Sequence, residues 1–364
     1  MSQTNLGQFL DTATDLIKSS ARIRIVGGQS KQRLHTNSDD FVQIKTMANC
    51  GVVEYDPNEF TITVLSGTTI RELNSILSEN NQFLPFDPMF ENRGATIGGT
   101  IASGLNGSCR LLAGGMRDFV LGAQFIDGDG NLIRAGGKVV KNAAGFDLPK
   151  FFVGSAGRGG LLVELTLKVF PRPASTLTLR ADSNGLTVDQ IVDAIFEINS
   201  MPLELSGLDW VPDGPLLVRL AGIHRAIELQ AAEIARRTGL GFETLSSTQE
   251  AMIWEDSTAA NWMNEEIFLA KIPTTVRELT SMEQSLGGNF ANRRYCAAGN
   301  VCLVSLPGQQ ELTRLDEMLK QQQLAAQVVV GDAKWNLIGT PRDMTFLDRV
   351  NQAMDPERRF GSFA

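Results

Sequence analysis

The stretch that most restricts the fold of this chain is residues 91–108, ENRGATIGGTIASGLNGS. Most residues between its glycines are small, and the glycines stand at positions 94, 98, 99, 104 and 107. Such a stretch can turn, can pack a helix tightly, or can bring backbone close to an oxyanion. The Gly94-x-x-x-Gly98 spacing also matches a membrane dimerisation motif, but the apolar span around it is too short for a membrane helix. A packed helix and a phosphate site therefore remain open on spacing alone.

Residues 96–103 predict a short helix within this stretch, and bare N–H groups at its first turn would suit a pyrophosphate. A second glycine loop, IRIVGGQSK at residues 23–31, follows a predicted strand and adds a hydroxyl and a lysine. It has neither the P-loop nor the Rossmann spacing, so by itself it is consistent with an ordinary turn. Together the two loops favour a nucleotide held between two subdomains.

The composition limits the classes of partner. A length of 364 residues favours two domains, and 43% apolar with 20% charged residues is typical of a globular protein. The net charge of −8 and the lack of a basic run disfavour nucleic acid. Four scattered cysteines indicate thiols rather than a disulfide framework or a zinc site. With no predicted signal peptide or membrane span, we expect a cytoplasmic protein.

The spacing of apolar residues predicts an α+β chain. Pro171-Arg172-Pro173 is a predicted domain boundary. Before it, the sequence predicts two hairpins and a helix that begins with the capping box of Thr69 and Glu72. The predicted elements of this part are helix 5–19, strands 22–26, 52–55, 60–65, 119–126, 131–135 and 161–170, and helix 69–79. Residues 176–245 then give the order β-α-β-β-α-β, which is typical of a ferredoxin-like unit, and residues 266–330 predict a second, looser one. A final helix is predicted at 342–354.

One long run carries a family resemblance. The segments GATIGGTIASG and MRDFVLGAQFIDGDGNLIRAGGKVVKNAAGFDLPKFFVGSAGRGGLLVELTLKVFPRP resemble the FAD-binding domain of the vanillyl-alcohol-oxidase superfamily, also called the PCMH type. Within it, the part from KVVKNAAGFDL onward is most similar to the family of FAD-binding E subunits of bacterial glycolate oxidase. Gln29 stands where relatives commonly have glycine, Phe146 replaces a tyrosine, and the ending DPERRFGSFA lacks the usual Asn-Pro-Gly-Arg.

The resemblance implies an α+β fold with a two-subdomain PCMH-type FAD-binding domain, followed by a cap of ferredoxin-like β-α-β units. The implied domains are residues 1–173 for FAD binding, 174–340 for the cap, and 341–364 for a C-terminal helix and tail that return to the FAD domain. It also implies FAD-contacting positions. These are Gly27, Gly28, Gln29, Ser30, Lys31, Pro85, Gly94, Ala95, Thr96, Ile97, Gly98, Gly99, Ala102, Ser103, Gly104, Gly107, Asn142, Asp147, Gly154, Gly160 and Val163.

The histidines restrict what the resemblance implies about catalysis. The chain has only His35 and His224, whereas catalytic relatives use a histidine pair with a carboxylate for a metal and a histidine as base. We therefore expect no metal and assign no catalytic residue. No histidine follows the first glycine loop directly, so we expect the FAD to be non-covalent.

By resemblance, the chain is expected to be the FAD-binding subunit of a glycolate oxidase complex. It would act as an electron relay or scaffold beside a catalytic flavoprotein (D) subunit and an iron–sulfur (F) subunit, free in the cytoplasm or held at the inner face of the membrane through these partners. A subunit that keeps the fold without flavin remains an alternative. So does a free-standing FAD-dependent oxidoreductase of hydroxy acids or alcohols, for which Tyr55 and Tyr295 are the available tyrosine bases.

Overall fold

The computed structural model describes residues 3–31, 41–137, 147–263, 267–331, 337–340 and 344–361, with backbone alone for residues 3–5. Its α-helices are α1 (Gln3–Ser19), α2 (Ile70–Ser78), α3 (Ile97–Ser103), α4 (Arg110–Ala113), α5 (Leu148–Phe151), α6 (Val188–Ser200), α7 (His224–Thr238), α8 (Ser247–Ala259), α9 (Leu279–Leu286), α10 (Gln309–Gln321) and α11 (Thr345–Met354). Its strands are β1 (Ile23–Val26), β2 (Val42–Lys45), β3 (Val52–Asp56), β4 (Thr61–Leu65), β5 (Gln82–Phe83), β6 (Val120–Ile126), β7 (Leu132–Gly136), β8 (Leu161–Lys168), β9 (Phe170–Pro171), β10 (Ser175–Asp182), β11 (Leu205–Trp210), β12 (Pro215–Gly222), β13 (Glu243–Thr244), β14 (Phe268–Pro273), β15 (Arg293–Cys296), β16 (Val301–Leu306), β17 (Ala325–Val330) and β18 (Leu337–Gly339).

The chain divides into two compact units. The first contains Met1–Leu105, Gly115–Pro171 and Arg342–Ala364, and the second contains Asn106–Gly114 and Arg172–Pro341. The division into residues 1–173, 174–340 and 341–364 remains a prediction about which segments fold as domains. In the compact units the short segment 106–114 belongs to the second unit, and the boundaries lie after Pro171 and Pro341 rather than after residues 173 and 340.

The first unit contains three sheets, the two-stranded pair of β5 with β9 and two others that frame a cleft. In the smaller sheet, β1 pairs with β2 in parallel, and α1 buries Ala13 and Ile17 in the same core as Ile23 of β1 and Ile44 of β2. The larger sheet has the antiparallel order β3-β4-β8-β6-β7. Both predicted hairpins are confirmed, as β3–β4 and β6–β7. Strand β8 lies at the centre of this sheet and is buried on both faces from Leu161 to Leu167, although it includes the polar residues Glu164 and Thr166.

The second unit is built on a nine-stranded sheet of order β13-β10-β12-β11-β15-β16-β14-β17-β18. Strands β10 to β13 with α6 and α7 form one ferredoxin-like unit, and β14 to β17 with α9 and α10 form a second. The cap of ferredoxin-like units is therefore confirmed. The two halves join where β11 pairs with β15, and there the rings of Trp210 and Tyr295 stack with centroids 5.2 Å apart.

Helix α8 was not predicted from the sequence. Its buried residues include Trp254 but also Glu250 and Ser257, while Met252 is exposed. A buried face that is partly polar gives no helical hydrophobic period, so the pattern carries no signal. Among the described helices, none is long and apolar enough to cross a membrane.

Candidate functional site

The first unit holds a cleft of about 440 Å³ between the β1–β2 sheet and the five-stranded sheet. The cleft is lined by the end of β1, the first glycine loop, the start and the end of α3, and the loop before β8. Its lining residues are Arg24, Ile25, Val26, Gly27, Gly28, Gln29, Ser30, Lys31, Gln43, Thr46, Ser66, Thr96, Gly98, Gly99, Ala102, Ser103, Ser155, Ala156, Gly157, Gly160 and Leu162.

The two glycine loops touch each other along one side of this cleft. A β carbon built on Gly28 would lie 1.8 Å from the carbonyl oxygen of Gly94, and one built on Gly27 would lie 2.7 Å from Oγ1 of Thr96. Since no real β carbon approaches other atoms so closely, glycine is required at both positions for the loops to meet. The pairing expected from the two loops is therefore present in the fold.

The first glycine loop presents backbone donors. The N–H groups of Gly28, Gln29 and Ser30 donate to no acceptor in the described part of the chain. Gln29 has φ +53°, the left-handed region that side chains other than glycine and asparagine adopt at a cost. Backbone N–H groups in a turn that includes a left-handed residue can bind an oxyanion.

The second glycine loop does not present bare donors, which corrects the expectation for the first turn of α3. The N–H of Ile97 donates to the Thr68 carbonyl and that of Gly98 to the Ser66 carbonyl, both at 2.8 Å. Thr96 caps the helix by accepting the N–H of Gly99 through Oγ1 at 3.2 Å and the N–H of Thr100 through its carbonyl. The first N–H groups of α3 are thus hydrogen-bonded within the protein. The helix contributes small side chains to the cleft wall.

The charged residues in the described lining of the cleft are positive, although the net charge of the whole chain is −8. The charged residues in its lining are Arg24 and Lys31, with no carboxylate among the described residues that line it. Burial lowers the pKa of Lys31 to about 8. Its ammonium donates to Oγ of Ser30 at 3.3 Å and lies 5.6 Å from the centre of the Phe90 ring. An anionic ligand beside a desolvated lysine of this kind stabilises the charged form of its side chain.

The loop before β8 forms a further part of the cleft wall. It is fastened to the end of α3, where the N–H of Gly154 donates to the Ile101 carbonyl at 3.0 Å and that of Ala156 to the Ala102 carbonyl at 2.7 Å. Between them, Oγ of Ser155 is buried and has no hydrogen-bond partner among the described residues. Buried hydroxyls are normally paired, so an unpaired one in a cleft wall fits a ligand that is absent from the structure.

The predicted site residues divide into three groups. Those that line the cleft are Gly27, Gly28, Gln29, Ser30, Lys31, Thr96, Gly98, Gly99, Ala102, Ser103 and Gly160. Those that lie outside its lining are Pro85, Gly94, Ala95, Ile97, Gly104, Gly107, Asp147, Gly154 and Val163. Asn142 lies outside the described residues, as do His35 and Phe146.

Several predicted residues that lie outside the lining make packing contacts, hydrogen bonds or ion pairs within the protein. A β carbon on Gly104 would lie 3.0 Å from Cα of Gly154, so these two glycines allow α3 and the following loop to pack. Val163 is buried, and its carbonyl accepts the side-chain amide of Asn49. Asp147 forms an ion pair with Lys150 at 3.0 Å. Gly107 belongs to the second compact unit.

Sequence reasoning missed several lining residues, notably Arg24, Gln43, Thr46, Ser66 and Ser155. Arg24 and Gln43 alternate with buried isoleucines in β1 and β2, so a strand assignment for 42–45 would have placed Gln43 on the cleft. Ser155 stands within VGSAGRGG, where only the glycines were considered.

The donor set of the cleft suits an anionic group such as a diphosphate. It combines N–H groups, hydroxyls and two cations with glycine backbone that admits a ligand closely. In the part of the chain that the structure describes, no group of three His, Cys, Asp or Glu residues could hold a metal ion. The residues present therefore fit a phosphate-bearing cofactor.

Comparison with known proteins agrees with this chemistry. The FAD binding domain family matches residues 7–136. The glycolate oxidase subunit GlcE of Escherichia coli is 41% identical over 172 residues, which are 47% of this chain and 48% of that protein. The glycolate oxidase subunit GlcD of Bacillus subtilis is 34% identical over 148 residues, 39% of this chain and 31% of that one. These alignments thus span less than half the length of either relative.

Solved structures share the fold. Two crystal forms of alkyldihydroxyacetonephosphate synthase superpose with TM-scores of 0.71 and 0.68 over 95% of this chain and 74% of theirs. The sequence identity is 14% in both cases, so this likeness concerns the fold alone.

Proposed function

We propose that this chain, whose residues 7–136 match the FAD binding domain family, is the FAD-binding subunit of a glycolate oxidase complex. The observation that carries the proposal is the 41% identity to the E. coli subunit GlcE over 172 residues. The cleft supports it independently, because its lining offers cations and backbone donors without an opposing carboxylate. When bound, FAD supplies a centre that exchanges electrons in one or two steps.

The residues of the cleft would hold the cofactor by its diphosphate. The N–H groups of Gly28, Gln29 and Ser30 would donate to phosphate oxygens, and Lys31 would neutralise their charge. The hydroxyl of Ser155, which also lines the cleft, would gain the hydrogen-bond partner that it lacks among the described residues. The contact between Gly28 and Gly94 would hold the first glycine loop in a fixed position against the second. The hydrogen-bond donors would therefore be in place before the ligand binds.

We propose that the FAD is held without a covalent bond. Residues that link covalently to flavins are nucleophiles such as histidine, cysteine or tyrosine, and the described lining of the cleft contains none of these. Acid precipitation of the loaded protein should therefore leave the flavin in the supernatant. Flavin that precipitates with the polypeptide would contradict this part of the proposal.

The partners belong to the same proposal. We infer a catalytic flavoprotein subunit of the D type and an iron–sulfur subunit of the F type, with this chain as an electron relay or a scaffold between them. Support comes from the two glycolate oxidase subunits, GlcE and GlcD, to which the chain is similar. Attachment to the inner face of the cytoplasmic membrane would then occur through the partners.

The test is to co-express an affinity-tagged form of this chain with candidate D and F subunits from neighbouring reading frames and to isolate the complex. We expect the three chains to co-purify and to reduce an artificial electron acceptor with glycolate. Omission of this chain should abolish that reduction. Full activity of the D and F subunits alone would contradict the proposal.

The same preparation separates a relay from a scaffold without flavin. Flavin quantified after denaturation of the complex should exceed that of the D and F subunits purified without this chain by one equivalent per copy of this chain. Equal flavin content in the two preparations, with activity of the complete complex, would favour the scaffold.

A further inference from the structure

We propose that the side-chain amide of Gln29 is a ligand-binding group that donates a hydrogen bond to a diphosphate oxygen of the nucleotide. This inference deepens the proposed function and rests on it. It assigns a binding role to a residue that the resemblance presents as a departure, since relatives commonly have glycine at this position.

The first observation is the backbone conformation. Gln29 has φ +53°, where a β carbon crowds the backbone and glycine is favoured. Strained residues of this kind persist where the surroundings impose them, and they cluster at binding sites. A glutamine in a backbone conformation that favours glycine indicates that its side chain makes an interaction that glycine cannot make.

The second observation is where that side chain lies. Gln29 lines the cleft and is exposed, and its amide makes no hydrogen bond to any described residue. The residues on either side of it, Gly28 and Ser30, line the same cleft. The amide is therefore available on the same wall as the unpaired N–H groups of the loop.

The third observation is charge, which sets the direction of the hydrogen bond. The charged residues of the described lining are the cations Arg24 and Lys31, so an anionic ligand is favoured there. The NH₂ group of an amide is a donor that suits an anion, whereas a carboxylate of the same shape is acceptor-only. Gln29→Glu thus keeps the shape and reverses the interaction.

The experiment measures FAD and ADP affinity of the full chain by fluorescence titration and calorimetry, for the wild type and for Gln29→Ala, Gln29→Gly and Gln29→Glu. Both truncations should weaken FAD by about tenfold, the effect of one hydrogen bond to a charged group. ADP should weaken by the same factor because it shares the diphosphate. Gln29→Glu should weaken both ligands further, by about another tenfold.

The two truncations separate the amide from the backbone strain. Alanine retains the strained conformation and glycine relieves it, so without ligand Gln29→Gly should unfold about 2 °C or more above Gln29→Ala. If the amide binds ligand, both truncations nonetheless lose affinity equally. FAD affinity of Gln29→Gly at or above the wild-type value would overturn the inference, while leaving the proposed function intact. A natively folded wild type that binds no FAD would overturn the proposed function itself.

Discussion

Gly28 and Gly94 meet backbone to backbone across 65 intervening residues, so that a β carbon on Gly28 would stand 1.8 Å from the Gly94 carbonyl oxygen. This contact joins the loop that carries the unpaired N–H groups to the loop that leads into α3. Because the obstructing atom is backbone, it cannot rotate away as a flexible side chain could. The geometry of the cleft therefore depends on this one position.

Gly28→Ala should force the two loops apart. We expect the free energy of unfolding to fall by about 1–3 kcal/mol, as in other overpacked sites, and FAD affinity to fall by at least about tenfold because the donors are displaced. Denaturant unfolding and FAD titration measure the two effects. Gly7→Ala in α1 is the matched control, since a β carbon there meets nothing within 4 Å. The control should gain about 0.5–1 kcal/mol and bind FAD normally.

FAD affinity should depend on pH through Lys31. Its pKa is lowered to about 8 in the ligand-free cleft, and a diphosphate beside it favours the charged form and raises that pKa. Binding then takes up a proton once the pH exceeds about 8, so affinity should be full below that pH and decline above it. Titrations between about pH 7 and 9 measure this effect, and Lys31→Arg should remove the decline because arginine stays charged. An identical decline in the arginine variant would contradict this role.

The ion pair of Arg293 with Glu283 should stabilise the second unit. Nε of Arg293 donates to both carboxylate oxygens at 2.9 Å, the hydroxyl of Tyr295 donates to the same carboxylate, and both charged side chains are buried. Arg293→Leu leaves that carboxylate buried without its cation, which should cost about 3–5 kcal/mol. Denaturant unfolding measures the loss. Arg180→Ala, which breaks a surface pair with Glu243, should cost no more than about 1 kcal/mol, and equal losses in the two variants would refute the assignment.

The four thiols should differ in reactivity. Cys296 and Cys302 are buried, and burial raises the pKa of both, whereas Cys50 and Cys109 are only partly buried. Since the thiolate is the reactive form, alkylation of the native protein should modify Cys50 and Cys109 first. Peptide mapping by mass spectrometry identifies the modified sites, and denatured protein should react at all four. Early modification of Cys302 in native protein would contradict its burial.

Much of the fold follows from local patterns. The hairpin turns, the Thr69 cap of α2 and both ferredoxin-like units are encoded by residues close together in the sequence, where alternation and capping signals are strong. Each of these predictions needs only local spacing. The cleft positions in the first glycine loop were instead implied by the family resemblance, because by itself that loop is consistent with an ordinary turn.

Other features depend on contacts that spacing does not reveal. The N–H groups of Ile97 and Gly98 are occupied by carbonyls of Thr68 and Ser66, about thirty residues earlier in the chain, so a bare helix terminus could not be judged from its own sequence. Segment 106–114 belongs with the second unit, where Ser108 donates to the buried carboxylate of Asp209. That pairing reflects tertiary burial and leaves no period in the sequence.

The most direct test of the proposed function is whether the purified chain binds FAD. Flavin-free protein titrated with FAD, with flavin fluorescence as the signal, should saturate at one FAD per chain, and ADP should compete for the site. Gly7→Ala should bind like the wild type and Gly28→Ala should bind more weakly. A chain with native circular dichroism and cooperative unfolding that leaves the flavin fluorescence unchanged at every concentration would contradict the central claim.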